Sequence, residues 1–244
     1  STPLYSSAAS DVYKRQIMSV AYFVTGTDTE IGKTTIAAGL LCAARRVGLS
    51  TAAAKPVASG CQLTTEGLRN DDALALLAQC SLPLRYDEVN PLAFAPAIAP
   101  HLAARDAGVP LEVPALQSAV RVILDKGADF TLVEGAGGWR VPLGGRATLA
   151  DLARALNIPV ILVVGVRLGC INHALLSAEA IVGDGLTLAG WVANVVDPNV
   201  ARLQDNLATL AERLPAPCIG QVPFLPSITA EQVAEHLDLS RLML

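Results

Sequence analysis

Aromatic side chains make up only 4% of this 244-residue sequence, too few for the stacking platform on which proteins hold single-stranded nucleic acid. No basic run occurs, and the net charge is -4, so neither DNA nor an anionic membrane surface is expected as the main partner. Cysteine is sparse: Cys42, Cys61, Cys80, Cys170 and Cys218 are scattered, odd in number and without a Cys-x-x-Cys pair. They read as reduced thiols of a cytoplasmic protein. His101, His173 and His236 are too dispersed to suggest a zinc site from spacing. The longest aliphatic run, PVILVVGV from Pro159 to Val166, has the length of a buried strand rather than a membrane span. Repeats, low-complexity tracts and linkers are lacking too.

What the chain does have is apolar bulk, 52% of its residues, enough for a large core. The opening STPLYSSAASDVYKRQ shows neither helical nor strand periodicity and no signal-type apolar segment. Residues 1–17 are therefore expected to be an appended, non-native extension. Residues 18–244 are expected to form one domain.

Within that domain, strand-like and helix-like runs alternate. Strands are predicted at 21–25, 51–57, 130–134, 159–164, 188–194 and 218–223. Helices are predicted at 33–47, 70–79, 114–126, 149–156, 171–185, 199–213 and 229–238. The Pro-rich stretch from Pro83 to Pro114 reads as loop with one short helix. Strands apolar on both faces and separated by helices mean a mostly parallel sheet covered on both sides, an α/β fold of the P-loop NTPase kind.

GTDTEIGKTT, residues 26–35, follows the first strand and opens the first helix, the context a phosphate-binding loop requires. The usual loop has four residues between Gly and Gly-Lys-Ser/Thr; here five residues separate Gly26 from Gly32. Backbone N–H groups at the helix start can hold phosphate oxygens, with Lys33 reaching the β/γ-phosphates and Thr34 ligating Mg²⁺. The longer front half makes Thr29 and Glu30 candidates for polar contacts beside the γ-phosphate. A second metal ligand is needed, and Glu134 ends an aliphatic strand in TLVEGAGG. The glycines after it permit close backbone approach. Asp72 is either a third metal contact or simply an acid in the first turn of a helix, and the residues alone leave both open. Lys55, placed after three alanines and before Pro56, falls at the carboxyl edge of the second strand, where open α/β sheets bind ligands. Ser59 and Gly60 follow in a small-residue turn. In GVRLGCINHA, residues 165–174, a strand meets a helix start suited to a carboxylate, although an ordinary turn is the favoured reading of the sequence alone.

Taken in order, GTDTEIGKT, KPVASG, GLRNDDALAL, VNPLAF, VEGAGG, VVGVRLGCINHA and LAGWVAN resemble dethiobiotin synthetase, the ATP-dependent enzyme that closes the ureido ring in biotin synthesis. The resemblance runs from about Ala21 to Pro223, and the long-gap phosphate loop is itself a trait of that family. It implies a ligase acting on 7,8-diaminononanoate and CO₂ with ATP and Mg²⁺, working as a homodimer.

By the same resemblance, Thr29, Glu30, Ile31, Gly32, Lys33, Thr34 and Thr35 surround the phosphates. Thr34, Asp72 and Glu134 gather Mg²⁺, beside Gly135, Ala136 and Gly137. Asn194 and Val195, with Pro223, Phe224 and Leu225, flank the adenine. Lys55 and Lys33 are catalytic, and Thr29, Lys55, Ser59 and Gly137 meet the diamine. Leu168, Gly169, Cys170 and Asn172 receive its carboxylate tail across the dimer interface. The chain also departs from the family. No aromatic stands near Asn206, where some members carry a tyrosine at the substrate tail, and Trp139, Arg140 and the 144–146 loop are individual.

Two other readings use the same motifs. A partitioning-type switch ATPase usually carries a lysine five residues before the P-loop lysine, and that position is Asp28 here. A glutamine-using ligase would need an added amidase domain, for which no length remains.

Overall fold

Along the strand Val20–Gly26 (β1), Tyr22 and Val24 enter one apolar cluster and Phe23 the other. That alternation divides the core into two layers, one on each face of a central sheet. The computed structural model describes residues 19–225 and 228–242; the expected extension at 1–17 lies outside the described residues.

After β1 come α1 (Lys33–Arg46), β2 (Thr51–Ala54), β3 (Val57–Ala58), the hairpin strands β4 (Gln62–Thr64) and β5 (Gly67–Arg69), and α2 (Asp71–Ala78). The middle of the chain supplies α3 (Tyr86–Val89), β6 (Leu92–Ala93), α4 (Pro100–Asp106), α5 (Val113–Leu124), β7 (Phe130–Glu134) and α6 (Leu149–Leu156). Then follow β8 (Val160–Val166), α7 (Cys170–Gly183), β9 (Leu188–Val195), α8 (Leu203–Arg213), β10 (Cys218–Val222) and α9 (Ala230–Ala234).

Six strands, paired in parallel throughout, lie in the order β10-β9-β8-β1-β7-β2. One face is covered by α1, α2 and α9 through Ile36, Leu40, Leu76 and Val233. Helices α5 to α8 cover the other through Leu116, Leu152, Ile181 and Leu210. Every residue of β8 is buried, as a strand covered on both faces requires. Each Val, Ile or Leu so buried contributes roughly 1.5–3 kcal/mol. Because all six strands run the same way, the phosphate loop after β1, Glu134 at the end of β7 and the 167–169 turn after β8 emerge at one edge.

The structure changes several expected boundaries. The second strand stops at Ala54, its last pair being with Val133, instead of continuing to 57. Pro56 has no N–H to donate to a ladder, and Lys55 N–H turns instead to the carbonyl of Val89, at 2.7 Å. The Pro-rich stretch holds two short helices and a strand, because Pro100 stands at the first position of α4, where it is tolerated. Leu92–Ala93 pairs with Val57–Ala58. The β4–β5 hairpin was not expected. The final helix is shorter than 229–238, spanning Ala230–Ala234 behind a Thr229/Gln232 capping box. The helix predicted from 199 starts at Leu203, after Arg202 in left-handed geometry.

Candidate active site

The phosphate loop is held by its neighbours before any ligand is considered. Thr27 N–H donates to Val163 O at 3.0 Å, and Gly165 N–H donates to Thr27 Oγ1 at 3.2 Å. Ile31 is 1% exposed and packs on β8 at Gly165, where a Cβ would lie 2.5 Å from Ile31 Cγ2. Glycine in the strand is what lets the loop approach this closely. Gly32 caps α1 at φ 79°, in the left-handed region that glycine adopts without steric cost. A Cβ there would lie 2.4 Å from Asn194 Nδ2, and that amide donates to Ile31 O at 2.8 Å. The two turns before α1 are thus braced from β8 and β9, with the N–H groups of α1 left facing the edge.

A cavity of about 690 Å³ opens beside the loop, within the range that holds a small molecule or part of a nucleotide. Thr29, Glu30, Gly32, Lys33, Thr34 and Thr35 line one wall. Lys55, Ser59, Asp72, Ala136 and Gly137 line others. The structure therefore brings eleven of the sequence-predicted site residues together, from four separate segments.

At its floor is a cluster of charges. Lys55 Nζ donates to Glu134 Oε1 at 2.5 Å, to Asp72 Oδ2 at 3.1 Å and to Gly135 O at 3.3 Å. Thr34 Oγ1 donates to the same Glu134 oxygen at 2.7 Å. Glu134 is 1% exposed, and its other oxygen, Oε2, is buried with no hydrogen-bond partner among the described residues. Burial would lower the Lys55 pKa, but the carboxylates of Glu134 and Asp72 outweigh it and hold the ammonium above its ordinary range. Burial likewise opposes ionisation of Asp72, and the Lys55 charge overcomes it, holding Asp72 below the usual carboxylate range.

Lys33 is different. Its Nζ donates to Asp28 O at 2.8 Å, and among the described residues no carboxylate pairs with it. Burial, then the nearby Lys55 charge, lower its pKa to about 8. The sign of the linkage follows. Between about 8 and the ordinary value of 10.5, the unfolded chain binds a proton that the folded chain has released, so this group's contribution to stability rises with pH. Melting curves from pH 7 to 10, without nucleotide, should show the native protein gaining stability relative to Lys33→Met as pH rises; parallel curves would refute a strained ammonium here. A phosphate group bound at the loop would supply such an anion.

Other predicted residues stand apart from the cavity. The Ile31 side chain is in the core, leaving only its backbone for a ligand. Asn194, 9% exposed, braces Ile31 from behind the loop, with half-buried Val195 after it. Pro223, Phe224 and Leu225 follow β10 at the same edge, with Phe224 42% exposed. Leu168 is 95% exposed, Asn172 is exposed, and Cys170 is buried. Thus Leu168, Gly169 and Asn172, rather than the Cys170 thiol, are what the 168–172 turn presents.

The sequence reading missed three features. Ala97, Ile98, Ala99 and Pro100 line the cavity; their only sequence signal is a small apolar run between VNPLAF and α4. Asp28 pairs with Arg167 across the loop front. Trp139 Nε1 and Arg140 both bond Asp184, while Trp139 meets Phe23 edge-on at 6.1 Å. That clamp fastens the loop after β7, which carries Gly135–Gly137, to the end of α7.

Comparison with known proteins agrees with this architecture. A family model described as AAA domain matches residues 20–232. Among solved structures, the MinC:MinD cell division protein complex of Aquifex aeolicus shares the fold at TM-score 0.53 and 15% identity, covering 88% of this chain and 85% of that one. A ParA family ATPase from Chlorobium tepidum TLS does so at TM-score 0.52 and 13% identity, over 91% and 92%. At such identities the likeness is one of fold. In sequence, the chain is 76% identical over 219 residues to the ATP-dependent dethiobiotin synthetase BioD of Pseudomonas aeruginosa (strain UCBPP-PA14), covering 90% of this chain and 96% of the relative. To the protein of the same name from Cellvibrio japonicus it is 58% identical over 223 residues, covering 91% and 97%. With the long-gap phosphate loop, Lys55 and Glu134 all set around one cavity, the chain belongs to the ATP-dependent dethiobiotin synthetase family.

Proposed function

We propose that residues 18–244 act as one catalytic domain that carboxylates 7,8-diaminononanoate and closes its ureido ring, consuming ATP and releasing ADP and phosphate. One observation carries the assignment of chemistry to this cavity: two buried ammonium groups, Lys33 at the start of α1 and Lys55 just after β2, line it together, near enough for the Lys55 charge to lower the Lys33 pKa. Such a pair suits a reaction in which negative charge accumulates on a carbamate and a phosphoryl group together.

One amine of the diamine takes up CO₂ to give a carbamate and a proton. A carbamate oxygen then attacks the γ-phosphorus of ATP, the bond to ADP breaks, and a carbamic–phosphoric anhydride remains. The second amine attacks the carbonyl carbon, phosphate leaves, and the ring is closed. In this sequence the N–H groups of Gly32 to Thr35 position the phosphates. Lys33 neutralises charge on the transferred group. Lys55 attracts the carbamate, and Ser59, Thr29 and Gly137 border the diamine. Most of the catalytic effect is positioning and charge neutralisation.

Mg²⁺ fits the residues present. The unpartnered Oε2 of Glu134, Thr34 Oγ1 and Asp72 are oxygen donors. Among the described residues no three His, Cys, Asp or Glu side chains converge into a cage. Magnesium bound through one or two carboxylates and substrate phosphates needs no such cage. When bound, the ion would neutralise charge on the β- and γ-phosphates.

The reading extends to a homodimer. The 168–172 turn lies outside the cavity of its own chain, with Leu168 fully projecting, which supports a carboxylate site completed between two copies. Asn194, Val195 and 223–225, grouped at the β9–β10 end of the edge, are assigned to the adenine. No helix among the described residues is long and apolar enough to cross a membrane, in keeping with a cytoplasmic enzyme. Phosphate release measured with and without the diamine tests the assignment: release should require diamine and bicarbonate together, and release indifferent to the diamine would refute it.

A further inference from the structure

Lys55 is usefully placed only if its backbone is. After β2 ends, the chain leaves the sheet at Lys55, and two contacts secure that point. Its N–H donates to Val89 O at 2.7 Å, and its carbonyl accepts from Asn90 Nδ2, also at 2.7 Å. Asn90 is 2% exposed, and its Oδ1 accepts from the Tyr86 hydroxyl at 2.9 Å. The same hydroxyl accepts from the backbone N–H of Asn70 at 2.7 Å. Asn70 is the N-cap of α2, its Oδ1 accepting from Ala73 N–H, and α2 carries Asp72 in its first turn. Asn70 Nδ2 donates to Ser59 O at 3.4 Å.

We propose that Tyr86 is a positioning residue, whose hydroxyl joins the backbone of Lys55, through Asn90, to the amino end of α2 and so sets Lys55, Asp72 and Ser59 relative to one another. The hydroxyl stands between Asn90 and Asn70, donating to the Oδ1 of one and accepting from the N–H of the other, so its loss removes both contacts at once. Its ring is fixed from outside by the Arg69 guanidinium, 4.3 Å from the ring centroid. Burial raises the Tyr86 pKa, which keeps its proton available to Asn90 across the working pH range. A buried network with every member bonded fixes one arrangement. Here the arrangement fixed is that of the groups assigned to the carbamate and the phosphoryl transfer, and the inference rests on that assignment.

Tyr86→Phe removes the oxygen and keeps the ring beneath Arg69. At a temperature well below melting, kcat should fall by about ten- to a hundredfold, the scale expected when reacting groups are displaced by a fraction of an ångström to an ångström. The KM for ATP should stay within about twofold, because no contact of the phosphate loop passes through Tyr86. A purely structural hydroxyl would lower the melting temperature and leave kcat unchanged; that result overturns the proposal. Asn70→Ser supplies a second readout that does not depend on Tyr86→Phe folding. Serine caps helices about as well as asparagine but is too short to reach Ser59 O. The KM for the diamine should rise about two- to tenfold, the worth of one hydrogen bond, with the melting temperature held. An unchanged diamine KM in Asn70→Ser contradicts the network's hold on Ser59. If the native protein itself shows no diamine-dependent turnover, the assigned reaction fails, a result distinct from either variant's.

Discussion

Lys55→Ala is expected to lose turnover by a factor of about 10²–10³, the usual cost of removing a positioned charge from a site where charge develops. ATP should still bind, since Lys33 and the α1 N–H groups are separate from Lys55. Stability should fall as well. Glu134 is 1% exposed and takes a 2.5 Å bond from Lys55, and stripping one partner from a buried pair typically costs about 3–5 kcal/mol. Asp72, whose side chain is 48% exposed, can be rehydrated and adds little to that cost. The two effects separate in a double variant. Lys55→Ala with Glu134→Gln removes both charges, so it should recover much of the lost melting temperature and none of the lost rate. Lys55→Arg should also be slow, because the planar guanidinium is larger than the ammonium and presents its charge as a rigid fork rather than a compact point. Near-native turnover per folded molecule in Lys55→Ala would remove Lys55 from the chemistry.

Glu134→Gln is expected to raise the Mg²⁺ concentration needed for half-maximal rate by about 10–100-fold or more, since even groups supporting a metal ligand typically cost that much when changed. The substitution is isosteric, and Gln can still accept from Thr34 and Lys55, so the fold should persist. The observation behind this expectation is the buried Oε2, which has no hydrogen-bond partner among the described residues, an arrangement costly enough to need a reason. A titration of rate against Mg²⁺, set beside a thermal melt, decides it. Unaltered metal dependence would make Glu134 a structural counter-ion to Lys55 and nothing more.

Much of this site was legible in the sequence because its signals are local. A strand leading into Gly26 and a helix opening at Lys33 define a phosphate loop within a dozen residues. Lys55, charged after three alanines near the carboxyl end of a strand-like run, and Glu134, at the end of an aliphatic strand, both marked the sheet's edge. What could not be read depends on distant partners. Lys55 and Glu134 are 79 residues apart, and no periodicity announces that β7 lies beside β2. The same holds for the stability cost of losing Lys55, which follows from the burial of its partner. Val57–Ala58 and Leu92–Ala93 are too short to show alternation, so their pairing was hidden and the second strand looked continuous. Tyr86 and Asn90 sit in a Pro-rich stretch that reads as loop, yet their side chains support Lys55 and α2. Asn194 shows the opposite case. Resemblance assigned it to the adenine, while the structure shows its amide committed to Ile31 O, so any adenine contact must use what that bond leaves free.

The central claim is that this cavity joins a bicarbonate-derived carbon to a diamine at the expense of ATP. Incubating the native protein with MgATP, 7,8-diaminononanoate and ¹³C-labelled bicarbonate, then measuring product mass and phosphate together, tests it most directly. The account predicts a ureido product carrying the label, formed in step with phosphate and absent when the diamine is omitted. Phosphate release at the same rate without the diamine, and no labelled ring, would contradict it and favour a switch ATPase on the same fold.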